Sequence, residues 1–306
     1  MRKEIRAYAK INLFLEVLGL RSDGFHDIRS VLAPVTLADR LEIEPTDGAL
    51  ELSTPSRVQF DGMPDSVAIC PAQDNLVFKI ASLLRETTGC RRGARIVLEK
   101  KVPIAGGLGG GSADAAAALL ALNQLWQTGL TRPELMELAS RLGCDIPALV
   151  HGGAVRVAGR GELVNPAPWR ADWRPWLLLV NPGFGVSTGD IYKRYKPDLT
   201  SERQPDTFKN LLAVLERGEA AGLAAGLHND LQRTVFDKYP LLELIAGRLA
   251  ELGARAVLLS GSGATLFALV RDAEHGRELA AGLRRAMDCQ LWTSVVQIAG
   301  DLRPEF

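Results

Sequence analysis

Cysteine is scarce in this chain and always solitary. Cys70, Cys90, Cys144 and Cys289 are widely separated and form no C-x-x-C pair. That excludes a disulfide framework or a zinc ribbon and fits free thiols in a reducing cytoplasm. A charge surplus is also missing, because 36 Lys plus Arg balance 36 Asp plus Glu. A general nucleic-acid binder carries a basic excess, so no nucleic-acid partner is expected, although a local basic pocket for phosphate is compatible with neutrality. No apolar run approaches the roughly 18 residues of a membrane span, and Lys10, Asn12 and Glu16 break up the N-terminal stretch that could otherwise pass for a signal peptide. A cytoplasmic protein without membrane partners is expected. Its 306 residues, 47% hydrophobic, are enough for one large domain or two ordinary ones.

Residues 5–20 alternate as a strand, broken by a polar Ala-Lys-Ile-Asn step. A turn at 21–27 leads to expected strands at 28–37 and 40–44. Residues 45–72 read as loops with short strands, 75–88 as a helix and 94–99 as a strand. The Ala/Leu-rich segment 113–126 is the clearest helix. Thr131 and Glu134 have capping-box spacing, which predicts a second helix ending near Gly143. A hairpin is expected across Gly159-Arg160-Gly161, with strands at 153–158 and 162–164. The Pro- and Trp-rich residues 165–176 form the candidate linker, dividing the chain into 1–165 and 166–306. Beyond it the pattern predicts strands at 176–180, 255–259, 264–270 and 291–298. Helices are predicted near 189–195, 207–217, 240–252 and 272–287. Without strict βαβ alternation, the class is α+β.

The strongest chemical signal is Pro103-Ile104-Ala105-Gly106-Gly107-Leu108-Gly109-Gly110-Gly111-Ser112-Ala113-Asp114, placed between a strand and a helix. Glycine lets successive N–H groups turn toward one anion, and the helix N-terminus adds unpaired N–H groups and a positive dipole end. Ser112 is a candidate for a phosphate oxygen or magnesium. No Lys-Ser or Lys-Thr follows the glycines, so this is not a Walker A loop. The dinucleotide spacing fails at Ser112, and HRD and DFG motifs are absent. A plain glycine turn capping an alanine-rich helix would leave five glycines unexplained.

The run Pro-x-x-x-Gly-Leu-Gly-Gly-Gly-Ser-Ala resembles the central signature of the GHMP kinases. Ala9-Lys10-Ile11-Asn12-Leu13 and Asp23-Gly24-Phe25-His26 resemble one branch of that family, whose acceptor is a cytidyl-diphosphate sugar alcohol. The likeness continues, in the family's order, through residues 143–147, 185–188 and 259–264. Asp114 stands where related sequences often carry Asn.

The resemblance implies a two-lobed fold, with a ribosomal-protein-like N-terminal domain that binds ATP and a ferredoxin-like C-terminal domain. It implies ATP and Mg2+, small-molecule substrates, and a monomer or weak homodimer. It assigns Lys10 and Asp145 as the catalytic pair. Residues 103–113, with Asn75, would hold ATP. Asn12, Phe25, His26, Thr188 and Tyr192 would bind the acceptor, with Phe25 and Tyr192 on the faces of the base and His26 hydrogen-bonded to it. Metal ligands are not identified beyond Ser112.

Spacing alone leaves blander readings open. Lys10 reads also as an exposed strand end, Asp145 as a turn or cap residue and Asn75 as a helix N-cap. His26 reads also as an ordinary surface or core residue and Tyr192 as core packing. Ser260-Gly261-Ser262-Gly263, between two strands, would bring a second glycine turn to the active site, and reads also as a simple hairpin turn. A rival hydrolase reading takes Gly185-Val186-Ser187-Thr188-Gly189 as G-x-S-x-G, with Asp230 and His275 downstream. However, residues 181–184 separate that motif from its strand, whereas a nucleophile elbow follows its strand directly. An RNA-binding module is disfavoured by the neutral charge. A kinase for homoserine or mevalonate is disfavoured by the early Lys10 and the Gly-Phe-His turn.

Overall fold

The structure is a computed structural model that describes residues 2–63, 65–197 and 206–304. Its N-terminal sheet is built on two long strands, β1 (Lys3–Leu20) and β2 (His26–Thr46), paired antiparallel. Short strands β3 (Leu50–Ser53), β4 (Arg57–Val58) and β5 (Val67–Ala68) follow, then helix α1 (Leu76–Thr88) and strand β6 (Gly93–Glu99). Next come helices α2 (Gly110–Trp126), α3 (Arg132–Ser140) and α4 (Ile146–His151), and the hairpin β7 (Val155–Gly159) and β8 (Leu163–Pro166). One edge of β2 serves two partners, β7 along Ile28–Leu32 and β6 along Arg40–Thr46.

The second half opens with β9 (Trp176–Asn181) and helices α5 (Thr188–Arg194), α6 (Thr207–Arg217) and α7 (Ala220–Gly226). Strand β10 (His228–Asn229) then crosses back to pair with β1 in the N-terminal sheet. After it come α8 (Leu231–Lys238), α9 (Pro240–Glu251), β11 (Val257–Leu259), β12 (Leu266–Val270), α10 (Ala273–Ala286) and β13 (Trp292–Gln297). Four of these strands form an antiparallel sheet in the order β11-β12-β9-β13.

Core packing explains the continuous burial of β1 from Ala9 to Val17. Ile5 and Ala7 pack with α1 and α2, whereas Ala9, Ile11 and Leu13 pack with Leu177, Leu179 and Phe267 of the second sheet. Residues of one parity therefore change face, and the ladder shows why: its register shifts between Tyr8 and Lys10. There one residue of β1, Ala9, lies opposite three of β2, 35–37, and such an irregularity interrupts the ladder and twists the strand. The shift turns Lys10 and Asn12 toward α2 and the glycine loop that precedes it.

Most expected elements are present, including α3 with both halves of its capping box. Three expectations need correction. The strands predicted at 28–37 and 40–44 are one strand, because Asp39 is satisfied by partners outside the ladder and does not end it. Helix α2 begins at Gly110 instead of Ala113, and α3 ends at Ser140. The Pro- and Trp-rich stretch begins inside β8 and is packed: the Trp169 and Trp173 rings lie 5.0 Å apart, and Trp169 covers Gly300.

Candidate active site

Lys10 is buried at 5% exposure, so it is not an exposed strand end. Its Nζ donates to Asn12 Oδ1 at 2.9 Å and to the Gly107 carbonyl at 3.2 Å, and lies 3.4 Å from Asp145 Oδ2. Asn12 in turn donates to Ser30 Oγ at 3.0 Å, and Ser30 donates to the Phe14 carbonyl. The Lys10 amide donates to the Leu108 carbonyl at 2.9 Å, which ties the strand directly to the glycine loop. Asp145 sits at the N-cap position of α4 but makes no side-chain cap. Its side chain remains 41% exposed, facing the ammonium from the open side.

Two glycines of the loop are required by space and by backbone angle. Gly107 has φ +79°, and a Cβ there would fall on the Ser260 carbonyl oxygen. Gly109 has φ +67°, and its Cβ would lie 2.9 Å from Lys10 Cε. The predicted turn at 260–263 reaches the same place. Ser260 Oγ donates to the Gly107 carbonyl at 3.0 Å, and the Thr265 amide donates to the Gly106 carbonyl at 3.0 Å. Asn229, from β10, donates to the Leu259 and Gly261 carbonyls at 2.8 and 2.7 Å and fixes the turn.

An open cleft of about 420 Å³ lies along the loop, lined by residues that include Cys70, Asn75, Lys100, Pro103, Ser112 and Asp114. Asn75 is indeed the N-cap of α1, accepting from Val77 N at 2.9 Å, and it also lines this cleft.

Sequence reasoning missed the charge cluster beneath the loop. Lys100 Nζ bridges Asp39 and Asp114, reaching Asp114 Oδ2 at 2.7 Å. Asp39 also accepts from the Lys101 and Val102 amides at 2.5 and 2.8 Å. One ammonium thus serves two buried carboxyl groups. Burial, opposed by Lys100, pushes the Asp114 carboxyl well above the usual carboxylate range, and its Oδ1 has no partner. A neutral carboxyl group has the shape of an Asn amide. The only signal in the sequence was a lysine flanked by charge at the end of a strand.

On the other side of Asp145, His26 faces Tyr192 with ring centroids 5.3 Å apart and meets Tyr195 edge-on at 6.2 Å. Burial lowers the His26 pKa and raises that of Tyr192, with Asp145 among the charges that raise the latter. The imidazole and the phenol are therefore both favoured neutral. Phe25 is 49% exposed, an aromatic face open to solvent. Thr188 shares a 2.7 Å hydrogen bond with Ser262 of the second glycine turn. Tyr195 and Lys100 join the region without having been predicted there, whereas Ser262 lies in the glycine turn expected at the site.

The hydrolase arrangement is absent. Ser187 caps α5, accepting from the Asp190 amide at 3.4 Å. Asp230 binds His228 and the Val17 amide, while His275 accepts from the Arg271 amide. Among the described residues, no group of three or more His, Cys, Asp or Glu side chains could hold a metal, and no helix is long and apolar enough to cross a membrane.

Residues 75–153 match the GHMP kinases N terminal domain, and residues 208–289 match the GHMP kinases C terminal domain. The chain is 42% identical to the 4-diphosphocytidyl-2-C-methyl-D-erythritol kinase of Pelotomaculum thermopropionicum, over 91% of this chain and 93% of that one. It is 38% identical to the enzyme of the same name from Symbiobacterium thermophilum, over 92% and 95%. A crystal structure of 4-(cytidine 5'-diphospho)-2C-methyl-D-erythritol kinase superposes with a TM-score of 0.79 at 33% identity, covering 98% of this chain and all of that one. This chain belongs to the GHMP kinase family.

Proposed function

We propose that this chain transfers the γ-phosphoryl group of ATP to the 2-hydroxyl of 4-diphosphocytidyl-2-C-methyl-D-erythritol, in the non-mevalonate route to isoprenoid precursors. The observation that carries the reading is the Lys10–Asp145 pair, 3.4 Å apart beside the glycine loop. An alcohol attacks phosphorus poorly while it keeps its proton. Asp145, open to the cleft, accepts that proton. Lys10, held by Asn12 and Gly107, fixes the carboxylate and the hydroxyl and offsets their charge. The N–H groups of the loop and of the first turn of α2 stabilise the transferring phosphoryl group.

ATP occupies the cleft lined by Asn75, residues 103–107 and 109–112, and Asp114. Magnesium is coordinated largely by nucleotide phosphates and a few protein oxygens in such sites. That requirement suits a chain whose described residues offer no acidic cage. Ser112, lining the cleft, would hold the ion together with the phosphates, and the ion would neutralise their charge. On the acceptor side, Phe25 and Tyr192 take the two faces of the cytosine, His26 reads its edge, and Asn12 and Thr188 complete the pocket. Residues 1–165 form the ATP-binding domain in this reading and 166–306 the second domain. The place of work is the cytoplasm.

The test is ADP release with magnesium-ATP and each of three acceptors: 4-diphosphocytidyl-2-C-methyl-D-erythritol, mevalonate and homoserine. Turnover on the first alone is expected. Turnover on either of the others would keep the kinase and discard the base pocket.

A further inference from the structure

Arg160 sits in the turn of the β7–β8 hairpin, and the reading above gives it no task. Its guanidinium carbon lies 5.0 Å from the centroid of the Phe25 ring. The next residue, Gly161, packs on Cys144, the neighbour of Asp145: a Cβ at Gly161 would lie 3.3 Å from Cys144 Cβ. Arg160 is also among the charges that act on the Cys144 thiol and on the Asp23 carboxylate. The guanidinium therefore lies over the aromatic at one end of the acceptor pocket, in a turn that packs on the neighbour of the carboxylate at the other.

The cations around it differ in availability. Arg21, on the Phe25 turn, pairs with Asp27 at 2.8 Å and with Asp23 at 3.2 Å. Arg160 has Glu162 as its acidic neighbour, but that contact is 4.0 Å, and the other Glu162 oxygen accepts from the Arg160 amide at 2.6 Å. Glu162 thus fixes the turn through the backbone and leaves the guanidinium fork stacked on a ring with its N–H edge uncommitted to a close carboxylate. Such a fork matches two phosphate oxygens at once.

The acceptor proposed above has its base at one end, the reacting alcohol at the other and a diphosphate in the middle. With the base at Phe25 and the alcohol at Asp145, the middle falls beside Arg160. The geometry points to Arg160 as the residue that binds the acceptor's diphosphate and so selects nucleoside-diphosphate alcohols over uncharged or short ones. This inference rests on the acceptor reading of the preceding subsection.

Calorimetric binding of cytidine and of cytidine diphosphate tests it without requiring turnover, in the wild type, Arg160→Gln and Arg160→Lys. Wild type is expected to favour the diphosphate by about tenfold or more, the effect of a charged hydrogen bond. Arg160→Gln should lose that preference while binding cytidine as before, and Arg160→Lys should recover part of it. In turnover, Arg160→Gln should raise KM for the acceptor and leave KM for ATP unchanged. A preference that survives in Arg160→Gln would overturn the assignment. So would an equal loss of cytidine and cytidine diphosphate, which would mark the guanidinium as a mere support for the Phe25 ring. A wild type that binds both ligands with the expected preference but phosphorylates no cytidyl acceptor would refute the reaction and leave Arg160 as assigned.

Discussion

Lys10 and Asp145 face each other at 3.4 Å from opposite degrees of solvation, the ammonium side chain 6% exposed and the carboxylate 41%. An ion pair with one half-open partner contributes little to stability, typically about 0–1 kcal/mol. Removing Asp145 should therefore spare the fold and damage the chemistry. Asp145→Ala is expected to lower kcat by about 10²–10⁴-fold, the usual effect of losing a positioned base, with ATP affinity and Tm nearly unchanged. Steady-state kinetics, nucleotide binding and a thermal melt check this together. An active Asp145→Ala enzyme would remove Asp145 from the role of base.

The glycine loop should be far less tolerant than its exposed relatives. Gly107 and Gly89 both have positive φ, +79° and +66°, but a Cβ at Gly89 would meet nothing within 4 Å. Gly89→Ala should cost only the left-handed backbone penalty, about 1–2 kcal/mol. Gly107→Ala adds a clash with the Ser260 carbonyl and should melt lower still, with weakened ATP binding. Equal melting temperatures for the two variants would show that the contact between the loop and the 260–263 turn is not tight.

Asp114 offers a pH test with a definite sign. Burial raises its folded-state pKa above the unfolded value. As pH rises above the ordinary Asp range, near about 4, the unfolded chain releases the proton that the native state keeps. Stability then falls with pH until the folded pKa is passed. Asp114→Asn removes this dependence. Whatever offset the lost Lys100 contact introduces, the stability of the variant relative to wild type should increase from pH 5 to pH 8. Urea midpoints at the two values measure it, and a gap that does not change with pH would contradict the raised carboxyl.

Local pattern made the long helix α2, the capping box of α3 and the glycine loop legible, because each is a short-range signal. Strand spacing likewise puts Lys10 and Asn12 on one face as a pair. Which face they occupy was not legible, since it depends on a register shift at Ala9 that arises from pairing with β2. Helix α7 escaped because its glycines look like breakers. Gly222 and Gly226 instead let Val214 and Leu211 of α6 approach closely. Helix α8 escaped because Asp230, the residue at its N-cap, uses its carboxylate on His228 and Val17 and makes no cap. The Asp39–Lys100–Asp114 cluster joins residues 61 and 14 positions apart, a separation no window-based reading spans.

The turn at 260–263 does more than border the cleft. With Thr265 bonded to Gly106, Ser260 to Gly107 and the Val186 amide to the Ala105 carbonyl at 3.4 Å, the loop proposed for ATP is fastened to the chain segments proposed to frame the acceptor. Lifting it would break several bonds at once, so neither substrate has to build the other's seat. The kinetic corollary is a random order of addition, in which ATP and the alcohol each find a finished half-site.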